Sequence, residues 1–141
     1  MILYLGASSL VKLYVDEADS GDVRKWVGEA EIVATCRVAY TEIISALDSR
    51  FKKGDLPEKD YERLCEAFRN DWGKLAVIDF DDLDAGRLAR TYGLRRLDAL
   101  HLSAARMLHT AGDNISLAFS SASERLCRAA DLEGLRVLPL R

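Results

Sequence analysis

The chain has three cysteines, two prolines and no long apolar run in 141 residues. Each scarcity removes a class of protein. Cys36, Cys65 and Cys127 are odd in number, lie 29 and 62 positions apart and form no CxxC pair. Neither a disulfide framework nor a zinc site is expected, and the three read as reduced, buried thiols. Two prolines and nine glycines exclude a fibrous or linker chain. No stretch approaches the roughly 18 apolar residues that cross a bilayer, and the start lacks a basic segment followed by a long apolar one. A soluble, cytoplasmic protein with no membrane contact is expected. Charge of one sign is missing too: 20 basic against 23 acidic side chains give a net charge of −3. There is no whole-body attraction to nucleic acid, so any RNA or DNA binding must come from a local patch or from metal ions.

Hydrophobic residues make up 49% of the sequence, enough for one domain over residues 1–141 to bury a core without covalent staples. Met1 to Leu5 reads as a strand ended by Gly6, with Ala7-Ser8-Ser9 as a turn before the helical pattern Leu10, Val11, Leu13, Tyr14. Further strands are expected at Glu31–Ala34, Leu75–Phe80, Ile115–Ser120 and Leu135–Leu138. Helices are expected over Asp19–Val27, Val38–Phe51, Pro57–Trp72, Asp82–Tyr92, Leu97–Thr110 and Ala122–Ala130, with Gly54 and Gly93 as stops. Short apolar strands alternating with helices, and no Asn-Gly hairpin between them, predict a parallel sheet covered on both faces. Ligands gather beyond the carboxyl ends of such strands, where strand order reverses. The residues to interrogate are those just after each strand.

Several chemistries are absent. Gly6-Ala7-Ser8-Ser9 has one glycine and no following Lys-Ser/Thr, so no phosphate loop is present. His101 and His109 fall in one late helix, no GxSxG elbow serves Ser8 or Ser9, and an eight-residue spacing is wrong for a metal pair on adjacent turns. Both histidines read as packed or hydrogen-bonded helix residues. Asp79, Asp81, Asp82 and Asp84 do not meet the calcium-loop spacing and are expected to cap a helix.

Two carboxylates remain. Glu42 lies one turn into the helix after the second strand, among Ala39, Ile43 and Ala46. Asp98 opens another helix between Leu97 and Leu100. A charge in an apolar stripe is costly unless a cation or hydrogen-bond donors compensate it. A metal ion is one compensation; a helix cap, or a salt bridge of Asp98 with Arg95 or Arg96, is the other.

The segments Met1–Tyr14 (MILYLGASSLVKLY), Ala39–Leu47 (AYTEIISAL) and Leu97–Ala105 (LDALHLSAA) resemble the successive signatures of a PIN domain, particularly the VapC-type toxins of bacterial toxin–antitoxin pairs. The similarity continues through Phe119–Leu126 (FSSASERL) and Gly134–Val137 (GLRV). The resemblance implies an α/β fold, a three-layer α/β/α sandwich on a parallel five-stranded sheet. It also implies an endoribonuclease dependent on Mg2+ or Mn2+, restrained by a cognate antitoxin and forming a homodimer, for which Tyr14, Trp26 and Trp72 are possible contacts or simply core.

Carried over residue by residue, the family's second and third acids fall on Glu42 and Asp98. The first falls on Gly6 and the fourth on Ser123, and neither is an acid. Ser9, which helps hold the metal loop in the family, is retained. Magnesium usually takes one or two carboxylates and several waters, so Glu42 and Asp98, with a neutral oxygen from Ser123, could hold one ion. Two carboxylates offset one divalent charge, so a stable two-metal site is not expected, and the nuclease should be impaired. Decay of the enzyme, a weak one-metal enzyme and deliberate disarming of a toxic protein are all compatible with the residues, as is an inactive module that binds antitoxin or RNA. For RNA contact the basic candidates are Lys12, Arg95 and Arg96, with Arg50, Lys52 and Lys53 at a helix end.

Overall fold

The structure, a computed structural model, describes residues 1–140. Its strands are β1 (Ile2–Leu5), β2 (Ile32–Cys36), β3 (Ala76–Ile78), β4 (Leu117–Ser120) and β5 (Arg136–Val137). Its helices are α1 (Ala7–Leu10), α2 (Ser20–Glu29), α3 (Ala39–Lys52), α4 (Glu58–Trp72), α5 (Asp82–Tyr92), α6 (Arg96–His109) and α7 (Glu124–Leu132). A 3-10 turn, Val11–Leu13, extends α1. All pairings are parallel and the strand order is β3-β2-β1-β4-β5.

Side-chain alternation along the central strands builds the two cores. From β1, Leu3 and Leu5 face one side with Leu10, Val23, Ile43, Leu47 and Phe68 of the helices α1 to α4. Tyr4 faces the other, with Leu88, Leu102, Leu126 and Ala130 of α5, α6 and α7. In β4, Ala118 and Phe119 divide in the same way. The result is the expected three-layer α/β/α sandwich. Tyr14, Trp26 and Trp72 all pack against the first of these cores, and Phe68 sits edge-on to both Tyr14 and Trp72.

Element boundaries depart from the periodicity in instructive places. The first helix begins at Ala7, not Leu10, because the Gly6 carbonyl accepts from Ser9 N at 3.1 Å and Leu10 N at 2.9 Å. Serines normally weaken a helix interior by bonding their own backbone. Here Ser9 Oγ is paired with Ser120 Oγ at 2.8 Å, and Ser8 Oγ accepts from Ala122 N at 2.9 Å. The edge strand β3 keeps only the three residues that find partners in β2; beyond it Asp79 pairs with Arg37 at 2.6 Å. Gly93 ends α5 at φ +63°, where Leu94 N donates to the Ala89 carbonyl, a left-handed conformation that glycine adopts without penalty. Asp81 caps α5 by accepting from Asp84 N at 2.8 Å, as expected of that acidic run. Cys36, Cys65 and Cys127 are free thiols, although only Cys36 is fully buried. No helix among the described residues is long and apolar enough to cross a membrane.

One ion cluster joins the three helices of the second layer. Glu133, just past α7, accepts from Arg87 at 2.9 Å, from Arg106 at 2.7 Å and from the Tyr92 hydroxyl. Asp84 faces the same two arginines, each at 3.3 Å. Donation from Arg87, then from Tyr92, holds the Glu133 carboxyl below the usual range. A depressed folded value stabilises the protein above the unfolded glutamate value of about 4.3 and is lost as pH falls through the folded one. Glu133→Gln should therefore cost about 2 kcal/mol at neutral pH, the scale of hydrogen bonds to a charged group. The difference from the parent should shrink below about pH 4, as read by urea unfolding at both pH values.

Candidate active site

The chain runs from β1 outward to β2 and β3, then returns to β4 on the other side of β1. Strand order thus reverses at β1 and β4, and the crevice beyond their carboxyl ends is where ligands bind in such sheets. The two strand ends are locked together. Leu5 is in register with Ser120, Gly6 N donates to the Ser120 carbonyl at 2.9 Å, and Thr35 Oγ1 donates to the Leu5 carbonyl at 2.7 Å. Above them opens a cleft of about 490 Å³ whose walls include Gly6, Ser8, Glu42, Arg95, Arg96, Asp98, His101, Ser121 and Ser123.

Glu42 and Asp98 both reach this cleft from first helical turns, Glu42 from α3 and Asp98 from α6. An acid at that position is favoured by the positive end of its helix. Their side chains are 18% and 21% exposed, mostly desolvated yet open to the cleft. His101 Nε2 lies 2.7 Å from Glu42 Oε1, and its Nδ1 lies 2.7 Å from the Tyr4 hydroxyl. Asp98 Oδ2 accepts from Ser123 Oγ at 3.4 Å and lies 3.8 Å from Arg95 Nε. That arginine is 84% exposed, so the salt-bridge compensation for Asp98 is weak. Among the described residues no protein hydrogen bond engages Glu42 Oε2 or Asp98 Oδ1.

The two positions that lack the expected acids both line the cleft, and both are helix N-caps. Gly6 caps α1 with φ −67° and ψ 163°, extended backbone open to any residue. A Cβ there would meet Ser121 Cβ at 3.5 Å, an ordinary contact. Ser123 caps α7 and accepts from Leu126 N at 3.3 Å. Aspartate is as good a cap as serine, so the backbone at both positions suits an acid.

Other expected site residues fall differently. Ser9 is buried under the cleft, tying α1 to β4 through Ser120. Arg95 and Arg96 stand exposed on its rim. Lys12 does not join them, which corrects its reading as a substrate contact: it is buried, its ammonium donating to the Ala18 carbonyl at 2.9 Å and pairing with Glu17 at 3.4 Å. Arg50 also goes to Glu17. Both cations therefore serve the α1–α2 junction, because a buried ammonium must be matched locally. Ser8 and Ser121 lie in the stretches just after β1 and β4 where site residues were expected, whereas His101 and Tyr4 were not anticipated at the site. The polar His101 among the mostly apolar buried residues of α6 was the available signal.

Burial, followed by the charges of Cys36 and Glu42, holds the Tyr4 phenol well above its ordinary range. Burial, and to a smaller degree Asp98, raises the Cys127 thiol, which makes it inert.

Among the described residues no group of three or more His, Cys, Asp or Glu side chains is gathered to hold a metal ion. The oxygens present, one each from Glu42 and Asp98 with the Ser123 hydroxyl nearby, are hard donors. They suit a single magnesium or manganese ion completed by water, and they do not suit a pair of ions.

A parallel α/β/α sandwich with carboxylates converging at its switch point defines the class. The family model of the PIN domain matches residues 3–131, and the chain belongs to the PIN domain family. It is 31% identical over 144 residues to Ribonuclease VapC49 of Mycobacterium tuberculosis (strain ATCC 25618 / H37Rv), covering 98% of this chain and 95% of that protein. The same figures hold for Ribonuclease VapC45 of Mycobacterium tuberculosis (strain CDC 1551 / Oshkosh). Among solved structures, FitAcB from Neisseria gonorrhoeae has the same fold with a TM-score of 0.67, at 18% identity and over 99% of this chain and 97% of that one.

The cap geometry makes a stability prediction. Ser123→Ala should cost about 1 kcal/mol, lowering the thermal midpoint by about 4 °C, whereas Ser123→Asp should keep the parent midpoint in the presence of manganese. Differential scanning calorimetry reads both.

Proposed function

We propose that the chain works as a single PIN domain over residues 1–141 and is an endoribonuclease of the VapC toxin type, weakened because Gly6 and Ser123 stand where acids are expected. The observation that carries this reading is that Glu42 and Asp98, 56 positions apart in sequence, line one cleft together with those two caps. Similarity to the VapC ribonucleases over nearly the whole chain supports it.

In this reading Glu42, Asp98 and the Ser123 hydroxyl would hold Mg2+ or Mn2+. A divalent ion there supplies positive charge that stabilises a phosphodiester during hydrolysis. The chain's own residues do the rest. Arg95 and Arg96 grip backbone phosphate at the rim, where they add affinity without reading sequence. Ser8 and Ser121 shape the floor through their mutual bond at 3.2 Å. A cognate antitoxin, RNA and a second copy of the chain are the partners, and the place of action is the cytoplasm.

The decisive experiment combines manganese calorimetry with RNA cleavage. The parent should show one saturable manganese site that Glu42→Ala abolishes, and slow cleavage. Gly6→Asp together with Ser123→Asp should raise cleavage by more than about 100-fold, since losing even an outer partner of a metal site costs about 10–100-fold. The double variant should also be less stable than the parent in chelator, from four converging carboxylates, and recover with manganese. No gain in a folded double variant would sink the nuclease reading.

Among the described residues only two carboxylates line the cleft, which favours one rival: a module that holds antitoxin or RNA without cutting. It requires tight partner binding that Glu42→Ala leaves unchanged.

A further inference from the structure

Glu42 does not stand alone. It is the exposed end of a three-residue hydrogen-bonded chain that starts in the dry centre of the sheet. Tyr4 on β1 is 0% exposed and His101 on α6 is 1% exposed. Each link is 2.7 Å long and joins groups far apart in sequence, 97 residues for Tyr4 to His101 and 59 for His101 to Glu42. The rings are held by packing as well. Tyr4 stacks on Phe119 at 5.5 Å and 6°, and meets His101 edge-on at 5.9 Å and 79°.

The donors can be assigned from the acceptors. A carboxylate oxygen only accepts, so His101 Nε2 carries a proton and donates to Glu42 Oε1. The Tyr4 phenol keeps its proton in this buried place and can donate to His101 Nδ1. No other acceptor for that hydroxyl occurs among the described residues. With that donation Nδ1 is the acceptor and Nε2 the donor. Both ring nitrogens are occupied within the protein, so His101 has no free nitrogen to offer a substrate.

We propose that Tyr4 and His101 are positioning residues for the cleft: Tyr4 sets the tautomer of His101, and His101 holds Glu42 with Oε1 committed and Oε2 presented to the cation. This rests on the reading of Glu42 as a metal-site carboxylate. A buried polar chain is a poor way to gain stability, because apolar side chains of the same shape serve as well. Its value is orientation, since an outer partner fixes ring tautomer and ligand direction at a metal site. With Gly6 and Ser123 contributing no charge, one of the two remaining carboxylates depends on it.

The test uses the full chain and four forms: the parent, Tyr4→Phe, His101→Leu and His101→Gln, each checked for folding by circular dichroism. Manganese is the probe ligand in calorimetry, and imidazole 15N NMR reads the His101 tautomer without metal. The parent should show a protonated Nε2 and an unprotonated, hydrogen-bonded Nδ1, and Tyr4→Phe should move the Nδ1 resonance toward that of a free acceptor. Manganese binding should weaken about 10-fold in Tyr4→Phe and about 10–100-fold in His101→Leu. His101→Gln, whose amide N–H can replace Nε2–H, should recover most of the loss, which a purely structural role would not allow. An Nδ1–H tautomer or an imidazolium in the parent would overturn the proposal, as would parental manganese affinity in folded His101→Leu. If the parent takes up no manganese, the metal reading fails separately. The 13C carboxyl resonance of Glu42 then decides: a shift in both Tyr4→Phe and His101→Leu sustains the positioning chain, and no shift in either ends it.

Discussion

The parallel pairing of β1 with β2 on one edge and β4 on the other is the constraint on which the rest depends. With a strand on each edge and a helix layer on each face, β1 has Leu3, Tyr4 and Leu5 fully buried, and its carboxyl end is held level with that of β4. The Gly6-to-Ser120 and Thr35-to-Leu5 hydrogen bonds complete the backbone accounting at that end, where unpaired groups would cost free energy. The crevice is therefore a consequence of sheet topology, and the residues placed in it come from four separate stretches: the β1–α1 junction, α3, α6 and the β4–α7 loop.

Electrostatics sets what the crevice can hold. Four carboxylates converging without a cation repel one another, and the cation that relieves them is the functional part of such a site. Here Glu42 and Asp98 face Arg95 and Arg96 around one cleft, so the formal charges balance without any ion. The attraction for a divalent cation is correspondingly smaller, and the geometry of the remaining oxygens carries more of the burden. Both acid-less positions are helix caps, which explains how the fold tolerates the change: Ser123 still satisfies an end of α7, and Gly6 needs no side chain to close the first turn of α1.

The inner half of the site is organised by burial. Tyr4, His101 and Phe119 lie in the apolar layer between the sheet and α6, where a hydrogen bond is electrostatically stronger than in water and an unpaired group is expensive. Among the described residues no buried side-chain nitrogen or oxygen is left without a partner. The buried pair Ser9–Ser120 joins α1 to the end of β4 by the same rule.

The strand–helix alternation, the parallel sheet and the two candidate acids were legible in the amino-acid sequence. Hydrophobic period and glycine stops are local signals, and a carboxylate in an apolar stripe is conspicuous wherever it lies. The start of α1 was not legible, because its serines find partners only at the end of β4 and in the loop after it, more than a hundred residues away. The role of Lys12 was not legible either, since a lysine beside a turn looks the same whether it meets phosphate or a partly buried glutamate. Nor could any spacing show that His101 would bridge Tyr4 and Glu42. Sequence by itself determined which elements form and which residues bear charge, because those depend on neighbours three or four positions away. Only the tertiary structure decided which charges meet, because that depends on strand order, and strand order is set by how the helices cover both faces of the sheet.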